Sequence, residues 1–230
     1  MSHTTRRGAA HEITVRALTK EFGTGPSGRG AVLDGVDLTA RPGTLTLIVG
    51  GPLTGKTTLA RCLTGTYRPD GGRIGYRLGG EQVDLATAPA RTVAWLRGRH
   101  IARFDEPVAA PPTVPAVTAV TRAAGCDRPS AIRTLRQLQA VDVTTCAVGR
   151  LRSRDRDAVA LAAALAARRP FVVLDQPERS CPAGILAAEL ERIVAAGAAV
   201  VVTAAPRTEL TSIATEVGEL REGRLTWHTP

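Results

Sequence analysis

A glycine-rich segment with one lysine and two adjacent threonines is the part of this 230-residue chain with the clearest chemical meaning. Its residues follow the spacing Gly-x4-Gly-Lys-Thr, which is typical of a loop that binds phosphate groups. In such a loop the backbone N–H groups contact phosphate oxygens, the lysine reaches the outer phosphates, and the threonine hydroxyl binds Mg²⁺. We therefore predict a nucleotide site at Gly50, Gly51, Pro52, Leu53, Thr54, Gly55, Lys56, Thr57 and Thr58.

The residues around this loop fit the same interpretation. An apolar run at 45–49 is typical of a strand that leads into the loop, and 57–63 is typical of the helix that follows it. The alternative is an ordinary glycine-rich turn between a strand and a helix. The motif requires a lysine, and lysine occurs only at positions 20 and 56 among 30 basic residues. A chance match to the motif is therefore disfavoured.

A second apolar run, 171–175, ends in Asp175. A carboxylate at the carboxyl end of a buried strand is suited to hold Mg²⁺ opposite Thr57, as in other phosphate-loop proteins. An aspartate that only caps the turn after a core strand is the alternative. The sequence thus predicts that Thr57 and Asp175 together form a metal site.

The order of strands and helices predicts an α/β fold. Segments 11–22 and 31–40 alternate apolar and polar residues, which indicates an N-terminal antiparallel strand pair. Runs 171–175 and 199–203 read as buried strands separated by a helix over 183–196, which favours a mostly parallel sheet. Between them, 115–168 is alanine-rich and helical, broken by Pro129 and Gly149.

We predict one nucleotide-binding domain over 11–230. Its core comprises about 11–89 and 166–230, an inserted helical subdomain comprises about 90–165, and 1–10 form a disordered tail.

Composition limits the kinds of binding partner and the cellular compartment that we expect. The net charge is +9, but the arginines are dispersed and the chain has only three Phe, two Tyr and two Trp, so nucleic acid is not expected. The first residues do not resemble a signal peptide, and no apolar run is long enough to cross a bilayer. Four dispersed cysteines suit a reducing environment. We expect a cytoplasmic protein with no transmembrane segment of its own.

The phosphate loop, the Asp175 strand and the helical insert between them resemble the ATP-binding cassette (ABC) ATPase family. The resemblance implies a P-loop fold, ATP and Mg²⁺ as ligands, a cassette dimer of identical or different subunits, and stacking of Phe22 on adenine, although a core phenylalanine fits equally. Segment 80–91 is most similar to the L subunit of the bacterial carbon–phosphorus lyase system. That likeness implies lyase core subunits as partners in phosphonate breakdown.

Several residues depart from the family pattern. The position of the catalytic glutamate is Gln176, that of the switch histidine is Ala204, and that of the Mg²⁺-sensing glutamine is Glu106. The signature Leu-Ser-Gly-Gly-Gln aligns with 151–155, which lacks both glycines, and Leu53 replaces a loop glycine and is expected to narrow the approach to phosphate. Because an amide cannot accept the proton of an attacking water, we expect little or no ATP hydrolysis. Taken with the resemblance, this implies an ATP-binding, weakly or non-hydrolysing subunit of a lyase-like assembly.

Two alternatives stay open. The first is an active ATPase that powers a transporter, with Glu106 or Glu178 in place of the missing glutamate, although Glu178 is expected to be a solvated loop charge. The second is a regulatory or scaffold protein with a decayed phosphate loop.

Arg152 and Arg154 lie in the altered signature segment. They are interpreted either as a solvated pair balanced by nearby aspartates or as a phosphate contact that reaches across a dimer.

Overall fold

The computed structural model describes residues 11–23 and 30–228. A large sheet is formed by strands that lie between Thr44 and His228. The predicted N-terminal tail, 1–10, lies outside the described residues. In spatial order the strands of the large sheet are β10 (Arg224–His228), β9 (Glu216–Arg221), β3 (Thr44–Val49), β8 (Ala199–Ala204), β7 (Phe171–Asp175) and β6 (Ile101–Phe104). All neighbours are parallel except β9 and β10. This confirms the predicted α/β class.

A smaller antiparallel sheet packs beside it. Its order is β2 (Gly30–Ala40), β1 (Glu12–Phe22), β4 (Gly71–Leu78) and β5 (Glu81–Asp84). The helices are α1 (Lys56–Leu63), α2 (Ala90–Arg99), α3 (Ala116–Ala124), α4 (Arg128–Gln137), α5 (Ser153–Ala166) and α6 (Ala183–Ala195). The predicted N-terminal strand pair is therefore present, with β1 and β2 antiparallel.

The central strands are apolar on both faces because each face packs against a different layer. On β3, Leu45 and Leu47 join the core shared with α3 to α6, whereas Ile48 joins the core between the two sheets. On β7 the alternation is the same, with Leu174 on the first side and Phe171 on the second. Burial on both faces explains why these strands read as unbroken apolar runs rather than alternating ones.

The helical segment differs from the prediction in two ways. Pro129 does not break a helix but lies in the first turn of α4, where the missing N–H of proline costs no hydrogen bond. Asp127 caps this helix and accepts a hydrogen bond from the Ser130 N–H at 2.8 Å. The strand β6 also lies inside the range predicted as helical subdomain, although it pairs with β7 and is part of the large sheet.

The parallel strands bring the predicted site residues to one edge. Asp175, the last residue of β7, is in register with Thr203 of β8, and Val49, the last of β3, is in register with Ala204. The segment after Val49 is the predicted phosphate loop. Ligands of open parallel sheets bind in the crevice outside the carboxyl ends of the strands. We therefore expect the ligand site at this end of the sheet.

Candidate nucleotide-binding site

The glycines of the loop are held where a side chain would collide with backbone. Gly55 has φ of 102°, a left-handed conformation, and a Cβ there would lie 2.7 Å from the carbonyl oxygen of Val32. A Cβ on Gly50 would lie 2.6 Å from the carbonyl oxygen of Leu220. Any other residue at either position would therefore displace the loop from β2 or β9.

Lys56 lies inside the loop. The residue is only 5% exposed, and its Nζ donates hydrogen bonds to the carbonyl oxygens of Gly50 at 2.7 Å and Gly51 at 2.5 Å. Burial lowers the pKa of Lys56, while the nearby carboxylates of Asp175 and Glu178 oppose that shift. The ammonium group is thus held at the centre of the loop by neutral acceptors, which an anionic ligand can replace with stronger, charge-assisted bonds.

Thr57 and Asp175 are in direct contact, although 118 residues separate them in the sequence. The Thr57 hydroxyl donates to Asp175 Oδ2 at 2.7 Å, and the Thr203 hydroxyl donates to Asp175 Oδ1 at 2.5 Å. A hydroxyl and a carboxylate are the hard oxygen donors that suit Mg²⁺. The residues that the structure describes contain no cluster of three or more His, Cys, Asp or Glu side chains able to hold a metal. Mg²⁺ that is bound through one or two protein groups together with substrate phosphates needs no such cluster.

A cavity of about 460 Å³ opens next to these two residues. Its walls include Thr57, Asp175, Gln176, Glu106 and Arg154. Four positions predicted from separate parts of the sequence as binding or altered catalytic residues therefore share one cavity with Arg154. For Arg154 the sequence leaves open either a solvated charge or a contact to a partner's phosphate.

Glu106 is exposed but is held by an ion pair. Arg103 Nη1 lies 3.0 Å from Glu106 Oε2 and 2.8 Å from Asp105 Oδ1. The buried carboxylate of Asp105 in turn accepts a hydrogen bond from the Thr64 hydroxyl at 2.8 Å, just after α1. The helix that begins at the phosphate loop is thus connected to the wall of the cavity.

Gln176 and Ala204 occupy the ends of neighbouring strands. Gln176 has φ of 49°, in the left-handed region, and its backbone N–H donates to the Thr203 carbonyl oxygen at 2.9 Å. Ala204 is completely buried. The methyl group of alanine and the amide of glutamine leave both positions without an ionisable side chain.

Leu53 does not narrow the loop as expected. Its side chain is fully exposed, and its backbone has φ of 60°, a conformation that ordinarily favours glycine. The side chain therefore projects into solvent rather than over the loop. The neighbouring Thr54 hydroxyl donates to the Gly51 carbonyl oxygen at 3.0 Å and so braces the loop from its own chain.

The Phe22 ring is half-exposed at the end of β1, so it is not a core phenylalanine. It meets the ring of Tyr67 edge to face with centroids 5.3 Å apart, and Lys20 Nζ lies 5.2 Å from its centroid. Tyr67, whose hydroxyl accepts a hydrogen bond from Arg61 at 2.6 Å, had no distinguishing sequence pattern. Together they form an exposed aromatic surface, which suits stacking of a flat base.

We predict that Phe22→Ala weakens ATP binding roughly tenfold, because loss of base stacking on an aromatic ring costs about 1–3 kcal/mol. Phe22→Tyr should bind like the wild type. Tripolyphosphate, which has no base, should bind both proteins equally. Titration calorimetry with both ligands measures these affinities. If Phe22→Ala lost the same affinity for ATP and for tripolyphosphate, a role of the ring in base stacking would be excluded.

Glu178 is not the solvated charge that the sequence predicts. Its Oε1 accepts a hydrogen bond from the Ala205 N–H at 2.9 Å, and its Oε2 is buried. The contact could not be foreseen because 27 residues separate the two positions.

Fold and site together define a P-loop nucleotide-binding protein with a lysine in the loop and a threonine–aspartate pair at the carboxyl edge of a parallel sheet. The family model described as ABC transporter matches residues 33–179 of the chain. The chain therefore belongs to the ABC transporter family, whose ATPases bind ATP with Mg²⁺.

Individual relatives agree with this family. The chain is 31% identical over 155 residues to the zinc import ATP-binding protein ZnuC of Pseudomonas putida, a match that covers 64% of this chain and 51% of ZnuC. It is 28% identical over 224 residues to the sulfate/thiosulfate import ATP-binding protein CysA of Caulobacter vibrioides, a match that covers 93% of this chain and 63% of CysA. The chain spans about half the length of the first curated relatives it matches.

The fold is also that of a solved cassette. A dimeric structure of the ATP-binding cassette MJ0796 in a post-hydrolysis state, bound to ADP and Pi, superposes with a TM-score of 0.81 at 16% identity and covers 94% of this chain and 98% of that one. Among the residues described here, no helix has the length and apolar character needed to cross a membrane.

Proposed function

We propose that this chain is the ATP-binding subunit of an ABC transporter and that it hydrolyses ATP slowly. The observation that carries the proposal is the contact between Thr57 and Asp175 beside the buried Lys56. It places the side chains suited to phosphate and Mg²⁺ at one edge of the sheet. The transport role is supported by the names of the relatives, which are ATP-binding proteins for import.

The residues at the edge of the sheet have separate roles in this proposal. The backbone of 50–58 and the Lys56 ammonium hold the phosphates, while Thr57 and Asp175 hold Mg²⁺, and Phe22 stacks on the base. Bound Mg²⁺ would neutralise charge on the outer phosphates. When phosphates enter the loop, Lys56 exchanges its bonds to the Gly50 and Gly51 carbonyls for charge-assisted bonds.

Slow turnover follows from the same geometry. Gln176 and Ala204 leave the ends of β7 and β8 without the charged or ionisable side chains that the family resemblance implies there. Phosphoryl transfer depends on positioning and charge stabilisation, so these losses reduce the rate without preventing binding. The weakly hydrolysing subunit of a carbon–phosphorus lyase assembly shares these features, but none of the comparisons supports the lyase resemblance.

Thermal unfolding tests the proposal with the wild-type chain. A ligand at a hundred times its dissociation constant stabilises the native state by about 2.7 kcal/mol, so ATP with Mg²⁺ should raise the melting temperature by several degrees. A melting temperature unaffected by millimolar ATP and Mg²⁺ would favour the scaffold alternative instead.

The cassette dimer is also part of the proposal. The structure separates the two arginines of the altered signature segment: Arg154 lines the cavity beside Asp175, and Arg152 is exposed at the N-cap position of α5. Within the described residues, neither arginine forms an ion pair with a carboxylate. Both side chains are exposed and Arg154 shares its cavity with Asp157, so the solvated pair remains the alternative to a contact across the dimer.

We predict that ATP promotes dimerisation, and that Arg152→Ala/Arg154→Ala abolishes this effect because a charged contact to the partner's phosphate is lost. High salt should have the same effect, since exposed charges are screened. Sedimentation with and without ATP measures the dimer fraction. If the double variant dimerises with ATP as the wild type does, the arginines are surface residues.

A further inference from the structure

The turn that follows β7 contains a carboxylate, the group that Gln176 lacks. A 3-10 turn, Pro177–Arg179, begins immediately after Gln176, whose left-handed backbone redirects the chain. The turn carries Glu178 back toward the end of β8. Here the Ala205 N–H donates to Glu178 Oε1 at 2.9 Å, so one carboxylate oxygen is fixed by backbone.

The second oxygen of Glu178 has a different environment. Oε2 is buried and has no hydrogen-bond partner among the described residues. Leaving a buried carboxylate oxygen unpaired costs free energy, so such an atom needs an explanation in function or in an absent ligand. Burial raises the pKa of Glu178, and so does the Asp175 carboxylate, while the Ala205 N–H and the Lys56 ammonium oppose the shift.

The charged neighbours of Glu178 belong to the proposed nucleotide site. Glu178 interacts electrostatically with Lys56, which lies in the loop, and with Asp175, which contacts Thr57. The backbone contact to Ala205 also places Glu178 near Thr203, whose hydroxyl donates to Asp175, so the carboxylate lies at the carboxyl ends of β7 and β8, beside the proposed site. The carboxylate that does line the cavity, Glu106, is exposed and already paired with Arg103, so it is less suited to accept a proton.

We propose that Glu178 is the catalytic carboxylate of this chain and that its unpaired oxygen receives the proton of the water that attacks the terminal phosphate. This inference rests on the proposed function, because it requires ATP in the loop.

The reaction balances without a further reactant. The water oxygen forms a bond to the terminal phosphorus while the bond from that phosphorus to the ADP oxygen breaks. The proton of the water passes to Glu178, and the released phosphate and ADP carry the negative charge. Gln176 cannot take this proton because its amide has no basic site of suitable strength.

The test compares Glu178→Gln with Glu178→Asp and with Glu189→Gln. Glu189 is also a buried carboxylate, but it lies on α6 and pairs with Arg192 at 2.7 Å. Single-turnover hydrolysis should fall about a hundredfold in Glu178→Gln, because a positioned base contributes ~10²–10⁴ to the rate. Glu178→Asp should recover part of the loss, and Glu189→Gln should hydrolyse as the wild type does.

Binding gives a second readout that does not depend on turnover. With Glu178→Gln, a non-hydrolysable ATP analogue should bind roughly fivefold tighter and ADP should bind unchanged, because only the outer phosphate lies beside the removed charge. Equal changes for the two nucleotides, or unchanged turnover in a folded Glu178→Gln protein, would overturn the inference. So would a wild type that binds ATP but turns over no faster than Lys56→Ala. A wild type that binds no ATP would instead refute the proposed function itself.

Discussion

Replacing Lys56 by alanine should weaken ATP binding about 30-fold or more, since truncating one partner of a buried charged contact costs about 2–5 kcal/mol and each 1.4 kcal/mol is tenfold. The reason is that the loop backbone keeps its N–H groups but loses the one ammonium at its centre. The stabilisation by ATP and Mg²⁺ in thermal unfolding should disappear with it.

The control for this prediction is Arg41→Ala. It removes one positive charge near the amino end of β3, the opposite end of the strand from the loop, where Arg41 pairs with Glu216 at 3.0 Å. ATP should stabilise this variant as it does the wild type. If ATP raised the melting temperature of Lys56→Ala as much as that of the wild type, the loop would not be the nucleotide site.

Gln176→Glu should raise ATP hydrolysis by less than about tenfold, because residues that act as a unit do not restore activity singly. The restored carboxylate would still lack an ionisable side chain at Ala204 and a family signature at 151–155. Its negative charge would also be placed near Asp175 and Glu178, which adds repulsion in a partly buried site.

A phosphate-release assay measures this effect, with Lys56→Ala as the background. The proposal predicts wild-type turnover well below one per second, a rate near the low end for enzymes. Wild-type turnover of one per second or more, lost in Lys56→Ala, would mean that the altered positions do not limit hydrolysis. A large increase in Gln176→Glu would show that this single position controls the rate.

The sequence was sufficient for the elements whose signal is local. The loop spacing, the apolar strands β3, β7 and β8, and the Asp175 position could be predicted because buried parallel strands are continuous apolar runs. The three outer strands of the large sheet were missed. β6 has four residues, one of which is Arg103, and β9 and β10 mix apolar with charged residues, so neither length nor periodicity distinguished them.

The parts of the site that were missed depend on contacts between distant segments. Glu178 looked like a solvated charge because its burial is produced by the end of β8. Tyr67 acquired meaning only through its contact with Phe22. In each case the side chain is ordinary in sequence and is defined by the neighbour that the fold supplies.

Titration calorimetry of ATP with Mg²⁺ into the wild-type chain tests the central claim most directly, because it depends on neither turnover nor a partner subunit. The account predicts saturable binding of one ATP for each chain, weakened at least about 30-fold in Lys56→Ala and unchanged in Arg41→Ala. Absence of binding at millimolar ATP, or equal binding by Lys56→Ala, would contradict it.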